Sequence, residues 1–480
     1  MRGRGVSVPE QDGDLILAEP YLSFHLNVCG NPGMGKSTVM MHLLEQVEKR
    51  GDVAIIAGDP KGEYFERFFR PERGDWNIDP ASDACCYWAS EEEARDRLEA
   101  DPWGRSFIPD PPGQDEAFFP RNARAALAGL LGKHNVWNSP NDLATCENLA
   151  YWLGQSEIDL LRRLATIAGT KAFNPKSPNQ LAGLTGTLAP LAPSFAAMPR
   201  REEGRPKFTV REWGDKRDGS WIFFTSTSET RDGSRPLQTA ICDSLLRAIE
   251  KKRPGAPRVW VFCDELSLLQ RMPSLIDAAA LLRASGNPLV LGYQNSAQIE
   301  MLYGRPGMQA LLGMAYTQIC FASTDPIIQK HIEEQCGHSM REKLSENMPS
   351  HLHHGNKQAR SSSLTSQQVA HEPVVMASEI GGLPPYEFVL KQQDMVLRGR
   401  IARNNRQRQT EYVRRLIPEL VIEQPISTEG ELEEELAVPV DEDPVPIDPE
   451  PQPPKKRSGR PSRVTGPTLF DQPQDVSPME

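Results

Sequence analysis

Apolar residues in this chain fall into two kinds of run. Short, nearly uninterrupted ones occur at Phe24–Cys29, from Val53 onward, and at Ser220–Thr225, Arg258–Cys263 and Pro288–Tyr293. Apart from His25 and Asn27 in the first, they are mainly apolar with no in–out alternation, so they read as buried strands, the mark of a mainly parallel sheet covered by helices. Other segments carry apolar residues at helical spacing. These are the stretch opening at Val39–Leu44, Leu237–Lys251 and Pro273–Ala284. Strands alternating with helices predict an α/β fold.

One segment breaks that rhythm. From about residue 84 to 204 β-branched runs are scarce, while Asn122–His134, Asn141–Leu153, Glu157–Ile167 and, more loosely, Asn179–Phe195 have helical spacing. The pattern predicts an all-helical domain inserted into the α/β core. The division expected is 1–83 for the first part of the core, 84–204 for the insertion, 205–420 for the second part, and 421–480 for a tail.

The first strand runs into Gly30-Asn31-Pro32-Gly33-Met34-Gly35-Lys36-Ser37, followed by Thr38 and a helix. This is the G-x-x-x-x-G-K-[ST] phosphate loop in its proper strand–loop–helix setting. Its backbone N–H groups and the helix N-terminus suit phosphate oxygens. Lys36 has the reach for β and γ phosphates, and the Ser37 hydroxyl can ligate Mg²⁺. The buried run at Arg258–Cys263 ends on Asp264-Glu265. A carboxylate there can hold Mg²⁺, directly or through water, and the next can polarise an attacking water. Asp264 follows Lys36 at several times the separation a compact core needs, which is where the insertion falls. The strand after it ends on Gln294, whose amide can donate to phosphate and accept from water. Arg283, just upstream, is either a solvated charge at a helix end or a finger reaching a neighbouring subunit's nucleotide.

Composition narrows the rest. The 480 residues are 38% hydrophobic, enough for two or three domains with a proper core. The eight cysteines show no C-x-x-C spacing and read as reduced thiols. Cys336 and His338 with His351, His353 and His354 lack four-ligand zinc spacing and read as a polar loop. No secretory signal is visible, and no stretch of 18 apolar residues occurs; Leu181–Met198 comes nearest but holds Pro190 and Pro193. The net charge of −11 is uneven. Residues 425–480 hold 13 acidic and 5 basic side chains, so the body is near neutral and free to carry a local basic surface. That acidic, Pro-rich segment predicts a disordered tail. Its basic patch Lys455–Arg463 and the pair Leu469–Phe470 make it either a solubilising tail or a docking arm, with DNA or lipid as possible contacts of the patch.

A family resemblance rests on several blocks. Val53–Tyr64, with Asp59-Pro60-Lys61-Gly62-Glu63, resembles the strand and turn of the TraD-like type IV coupling proteins, the hexameric ATPases of bacterial conjugation. Cys263–Leu269 resembles their Asp-Glu strand end. Gly292–Gln298 with Tyr303-Gly304, Phe321–Pro326, and Glu372–Ile380 with Leu383-Pro384 complete a match over roughly residues 15–400. The resemblance implies a RecA-like P-loop NTPase core in a homo-hexamer, with ATP and Mg²⁺ as cofactors. DNA, single-stranded and bound with little sequence preference, would pass through the ring. In roles, it implies Lys36 and Ser37 at the nucleotide, Asp264 at Mg²⁺, Glu265 at the water, Gln294 as sensor and Arg283 as a finger acting across subunits. Implied partners are relaxase and relaxosome proteins and the channel's ATPase and inner-membrane subunits. Such proteins typically begin with transmembrane helices, and this chain opens almost at its first strand. The expectation is a cytoplasmic protein recruited to the inner membrane's cytoplasmic face. Other classes sharing the core motifs are an FtsK/HerA-type double-stranded DNA pump and a nucleotide-gated docking protein for secreted proteins. A small-molecule kinase has no readable acceptor site.

Overall fold

The structure is a computed structural model, and it describes residues 6–10, 13–17, 23–59, 61–112, 118–132, 144–154, 178–347 and 364–417. The helix expected at Glu157–Ile167, the three histidines at 351–354 and the whole tail from 421 lie outside the described residues.

Among the described residues fifteen strands are formed: β1 (Val6–Glu10), β2 (Gly13–Leu17), β3 (Leu26–Cys29), β4 (Val53–Asp59), β5 (Trp76–Asn77), β6 (Tyr87–Trp88), β7 (Lys207–Phe208), β8 (Ile222–Thr225), β9 (Val259–Cys263), β10 (Leu289–Tyr293), β11 (Thr317–Phe321), β12 (His338–Asn347), β13 (Leu364–Pro373), β14 (Glu387–Gln392) and β15 (Met395–Arg400). Nine of them make one sheet in the order β15-β14-β11-β3-β10-β9-β4-β8-β5. From β11 to β5 every neighbour is parallel; β14 and β15 add an antiparallel edge. Every residue of β3, β4, β8, β9, β10 and β11 is buried, which is why β4, β8, β9 and β10 read as apolar runs without alternation; β11, with Thr317 and Gln318, does not read as a strand in the sequence.

The main helices on this sheet are α1 (Lys36–Arg50), the short α2 (Glu63–Phe68), α9 (Arg231–Ile249), α10 (Leu275–Ser285), α11 (Ser296–Gly313) and α12 (Pro326–Cys336). The remainder are α3 (Arg97–Phe107), α4 (Phe118–Leu131), α5 (Cys146–Leu153), α6 (Pro178–Leu188), α7 (Ala192–Ala196), α8 (Val210–Lys216) and α13 (Ala377–Gly381). Polar residues inside β3 and just before it tie helices to the sheet. Asn27 donates to the carbonyls of Leu311 and Leu312 at 3.1 and 3.2 Å, closing the end of α11. His25 accepts from the Leu289 N–H at Nδ1, so its Nε2 carries the proton and donates to Ala279 O at 2.7 Å. Burial lowers its pKa and keeps it neutral.

Helices α3 to α7 come between β6 and β7, and those two strands pair in parallel at the base of the segment. Tyr87–Trp88 is therefore extended backbone within the range expected to be helical throughout. An aromatic cluster fills the segment's interior: Trp88 lies 5.4 Å from Trp103, and Phe107 lies 5.0 Å from Phe195. Helix α3 was missed in the sequence because Pro102 and Gly104 interrupt its pattern; its cap Asp96 accepts from the Glu99 N–H. A buried polar cluster joins the segment to the sheet's helices. Asp243 on α9 accepts from Ser106 of α3 at 2.6 Å, from the Ser274 N–H at 3.0 Å, and from Arg247.

By length and composition, Asn179–Glu203 is the one run among the described residues apolar enough to cross a bilayer. Pro190 and Pro193 break it into α6, a 3₁₀ turn and α7, and it sends Leu184, Leu188, Leu191, Phe195 and Met198 into the core. All eight cysteines are buried free thiols.

After β15 the chain runs extended across this body. Arg406 pairs with Glu48 of α1 at 2.8 Å, and Tyr412 donates to Asp79 at 2.9 Å. Arg415 is buried, holds both oxygens of Glu203 at 3.2 and 2.5 Å, and donates to the carbonyls of Pro80 and Ala197. Arg415 is buried while Glu203 is exposed, so losing the guanidinium costs its packing and its bonds to the Pro80 and Ala197 carbonyls and leaves the carboxylate to solvent. Arg415→Ala is expected to lower stability by about 1–2 kcal/mol in urea unfolding; a loss under about 0.3 kcal/mol would show that this crossing segment is not part of the folded unit.

Candidate functional site

Four strands end together at one edge of the sheet. Cys29 is level with Tyr293 and with Cys320, and Cys263 is level with Leu291 and with Ala57. The strand ends therefore bring four features together: the Gly30 loop after β3, Asp264-Glu265 after β9, Gln294 after β10, and Asp59 closing β4. Crevices at such an edge are where open α/β sheets bind ligands.

The loop's shape needs its glycines. Gly30, Gly33 and Gly35 have φ of 142°, 76° and 125°, a region that side-chain-bearing residues avoid. A Cβ on Gly30 or Gly35 would lie 2.7 or 2.8 Å from Phe321, whose ring presses under the loop from the end of β11. The loop is fastened at both shoulders. Asn31 N–H donates to Ala322 O at 2.7 Å, its side-chain oxygen accepts from Thr324, and Met34 O accepts from the Tyr386 N–H at 2.8 Å. Pro32 and Gly33 are exposed at the tip, while Thr38 is half-buried in the first turn of α1.

Lys36 is buried and its ammonium donates to Gly30 O at 2.8 Å and Asn31 O at 3.4 Å. Burial lowers its pKa, opposed by Asp264 and Glu265. Ser37 donates to Asp264 Oδ2 at 3.0 Å. Burial pushes Asp264 up to about 6 against the Ser37 bond and the Lys36 charge. Glu265 is also raised by burial; its Oε1 accepts from Ser267 at 2.8 Å, and the Gln294 amide beside it favours its charged form. Asp264 Oδ1 and Glu265 Oε2 are buried without a hydrogen-bond partner. Two unsatisfied carboxylate oxygens facing a lysine and a phosphate-type loop fit a divalent cation with a polyphosphate, since buried charge is otherwise costly.

Two further glycines let the carboxylates come this close. A Cβ on Gly292 of β10 would lie 2.0 Å from Asp264 O, and one on Gly58 of β4 would lie 2.8 Å from Glu265 O. Lys36, Ser37, Asp264, Glu265 and Gln294 are thus brought together. Arg283 is not among them. It ends α10 at the opposite end of β3, its guanidinium 5.2 Å above the Phe24 ring, away from this chain's own loop. A cleft of about 570 Å³ opens beside the loop, lined by Asn31, Pro32, Gln294, Ser296, Thr324 and Asp325 among others.

Residues that the composition and spacing did not single out as chemical also reach this edge. Asp59 is fully buried, accepts N–H bonds from Glu63, Tyr64 and Phe65 at 3.1, 3.0 and 3.3 Å, and is pushed up to about 7 by burial. The only signal was the turn after β4, which on its own reads as a Pro/Gly bend.

Residues 17–401 match the family model described as the type IV secretion-system coupling protein DNA-binding domain. The chain belongs to this family. A curated relative is the coupling protein TraD of Escherichia coli (strain K12), 26% identical over 371 residues, covering 75% of this chain and 50% of that protein. The chain thus spans about half the length of the curated relative it matches. Among solved structures, the unbound coupling protein TrwBdeltaN70 superimposes with a TM-score of 0.71 at 21% identity, covering 86% of this chain and 92% of that one. TrwB in complex with the ATP analogue ADPNP does so equally, covering 86% and 94%. TrwB with ADP and Mg²⁺ gives 0.69 at 21% identity, covering 85% and 91%. This family member therefore has the TrwB fold, with the mostly parallel RecA-like sheet at its centre.

Asp59 yields a pH prediction. Its folded-state pKa of about 7 lies above the ordinary carboxylate value, so the folded protein holds the proton more tightly than the unfolded chain. Its contribution to stability is present at low pH and is lost as pH rises from about 4 through 7. In urea unfolding without nucleotide or divalent metal, Asp59→Asn is expected to make the decline between pH 5 and 8 shallower. An unchanged slope would contradict the buried, protonated carboxyl.

Proposed function

We propose that this chain is an ATP-driven, DNA-binding motor that couples a DNA substrate to a type IV secretion channel and pumps it. One observation carries the reading: in a coupling-protein fold, Lys36 and the Ser37–Asp264 pair lie together at a phosphate loop, with two carboxylate oxygens left open. TrwB is solved with an ATP analogue and with ADP and Mg²⁺, which supports the same ligands here.

In this reading Gly30–Gly35 wrap the phosphates with backbone N–H groups, and Lys36 turns from its own loop carbonyls to the β and γ oxygens. Ser37 and Asp264 hold Mg²⁺. The metal, when bound, neutralises charge on the phosphate oxygens. Glu265 orients the attacking water and takes its proton, and a carboxylate raised by burial is suited to that exchange. Gln294, beside Glu265, reports whether the terminal phosphate is present. Arg283, remote from its own loop, serves the site of the next subunit in a homo-hexamer, which places hydrolysis at a subunit boundary. Residues 84–204 are read as the helical insertion and 1–83 with 205–420 as the core. DNA contacts are mainly to phosphates and so sensitive to salt. Relaxosome proteins hand over the DNA, and inner-membrane subunits recruit the chain to the cytoplasmic face.

The test is steady-state ATP hydrolysis by purified protein across a range of concentrations, with and without single- and double-stranded DNA. A rate per chain that climbs steeply with concentration and with DNA is expected; a flat, DNA-indifferent rate contradicts the motor. Lys36→Ala is expected to cut turnover by about a hundredfold or more, and near-normal turnover would remove the loop from the chemistry. Arg283→Ala is expected to leave nucleotide affinity intact while lowering turnover by roughly a thousandfold or more. Loss of nucleotide binding instead would take Arg283 out of the trans-acting role.

A further inference from the structure

A third buried polar atom near the loop closes no hydrogen bond of good geometry, although Ser37 and Asp264 lie beside it: the hydroxyl oxygen of Tyr64. The side chain is 2% exposed, and a buried hydroxyl is normally paired because leaving it unmade costs free energy. Its position is set from the backbone. Asp59 holds the N–H groups of Glu63, Tyr64 and Phe65, Gly62 turns the chain at φ 67°, and the first turn of α2 is fixed against the end of β4. That anchors the phenol with its oxygen beside the Ser37 hydroxyl and the Asp264 carboxylate. Asp264 Oδ2 is already engaged by Ser37, while Oδ1 is open. A phenol has one proton to donate and lone pairs to accept. Packing alone would be served as well by phenylalanine, so the oxygen needs another account.

We propose that Tyr64 is an outer-sphere positioning residue of the divalent-cation site, its hydroxyl donating to Asp264 and accepting a hydrogen bond from a water on the cation. The carboxylate is then held from both sides, by Ser37 and by Tyr64, in the orientation the cation needs. This rests on the nucleotide–Mg²⁺ reading above and adds one residue to that site.

The test uses the full chain and Tyr64→Phe, with Mn²⁺ as the probe, titrated by electron paramagnetic resonance in the presence of ADP. Outer-shell partners typically carry 10–100-fold in metal affinity. Tyr64→Phe is expected to weaken ADP-dependent Mn²⁺ binding by about tenfold or more, while ADP affinity in EDTA and the metal-free melting temperature do not fall. Equal Mn²⁺ affinity in the two proteins overturns the role of Tyr64 alone. Failure of the unaltered chain to bind Mn²⁺ with ADP overturns the nucleotide–metal reading and this proposal together. A metal-free melting temperature that drops along with Mn²⁺ affinity makes Tyr64 a structural residue and overturns the outer-sphere role.

Discussion

The site depends on how closely the end of β9 approaches the start of α1. The Ser37–Asp264 bond at 3.0 Å measures that approach. It is not a local feature of either segment. Asp264 reaches Ser37 because β10 stands between β9 and β3, and because the strands flanking β9 carry glycine where its backbone turns out of the sheet. Gly292 leaves space on one side and Gly58, at φ 65°, on the other. A methyl group at Gly292 would collide with the Asp264 carbonyl at 2.0 Å, so the β9–β10 spacing at the strand ends tolerates no side chain there. The buried charges at this edge are costly without partners. The site therefore holds buried carboxylate oxygens that a polyphosphate with a cation would satisfy.

Much of this was legible in the sequence. A strand buried on both faces has no alternation to hide it, so β4, β8, β9 and β10 stand out, β3 is marked by the glycine loop that follows it, and the residues at their ends name the chemistry. Glycine spacing in the loop marked the phosphate cradle because positive φ restricts the residue type. The illegible parts depend on contacts between distant segments. Nothing near Phe321 announces that it packs against Gly30 with its Cβ and Gly35 with its ring. Asp59 and Tyr64 read as the end of a strand and a turn, and their reach to the loop's edge exists only once β4 lies beside β9. Helix α3 was hidden by Pro102 and Gly104, and β5 and β6 are two residues long, too short for any periodicity to show.

The residues between Lys36 and Asp264 have a physical consequence as well. The helices α3 to α7 are tied to α9 and the start of α10 through Asp243, Ser106 and Ser274, and α9 leads into β9. The segment after β15 crosses from α1 at Glu48 to the far end of the helical region at Glu203. A displacement at the loop thus has rigid, hydrogen-bonded routes to surfaces far from it. The motor proposed above needs such routes, since the energy of the nucleotide must appear as movement elsewhere.

The most direct measurement of the central claim is a crystal structure of the chain with a non-hydrolysable ATP analogue and Mn²⁺, with the metal located by anomalous scattering. The account predicts the metal in contact with Ser37 Oγ, within one water of Asp264, and the terminal phosphate in contact with Lys36. A metal held elsewhere, or an analogue that leaves Lys36 on its own loop carbonyls, would contradict it.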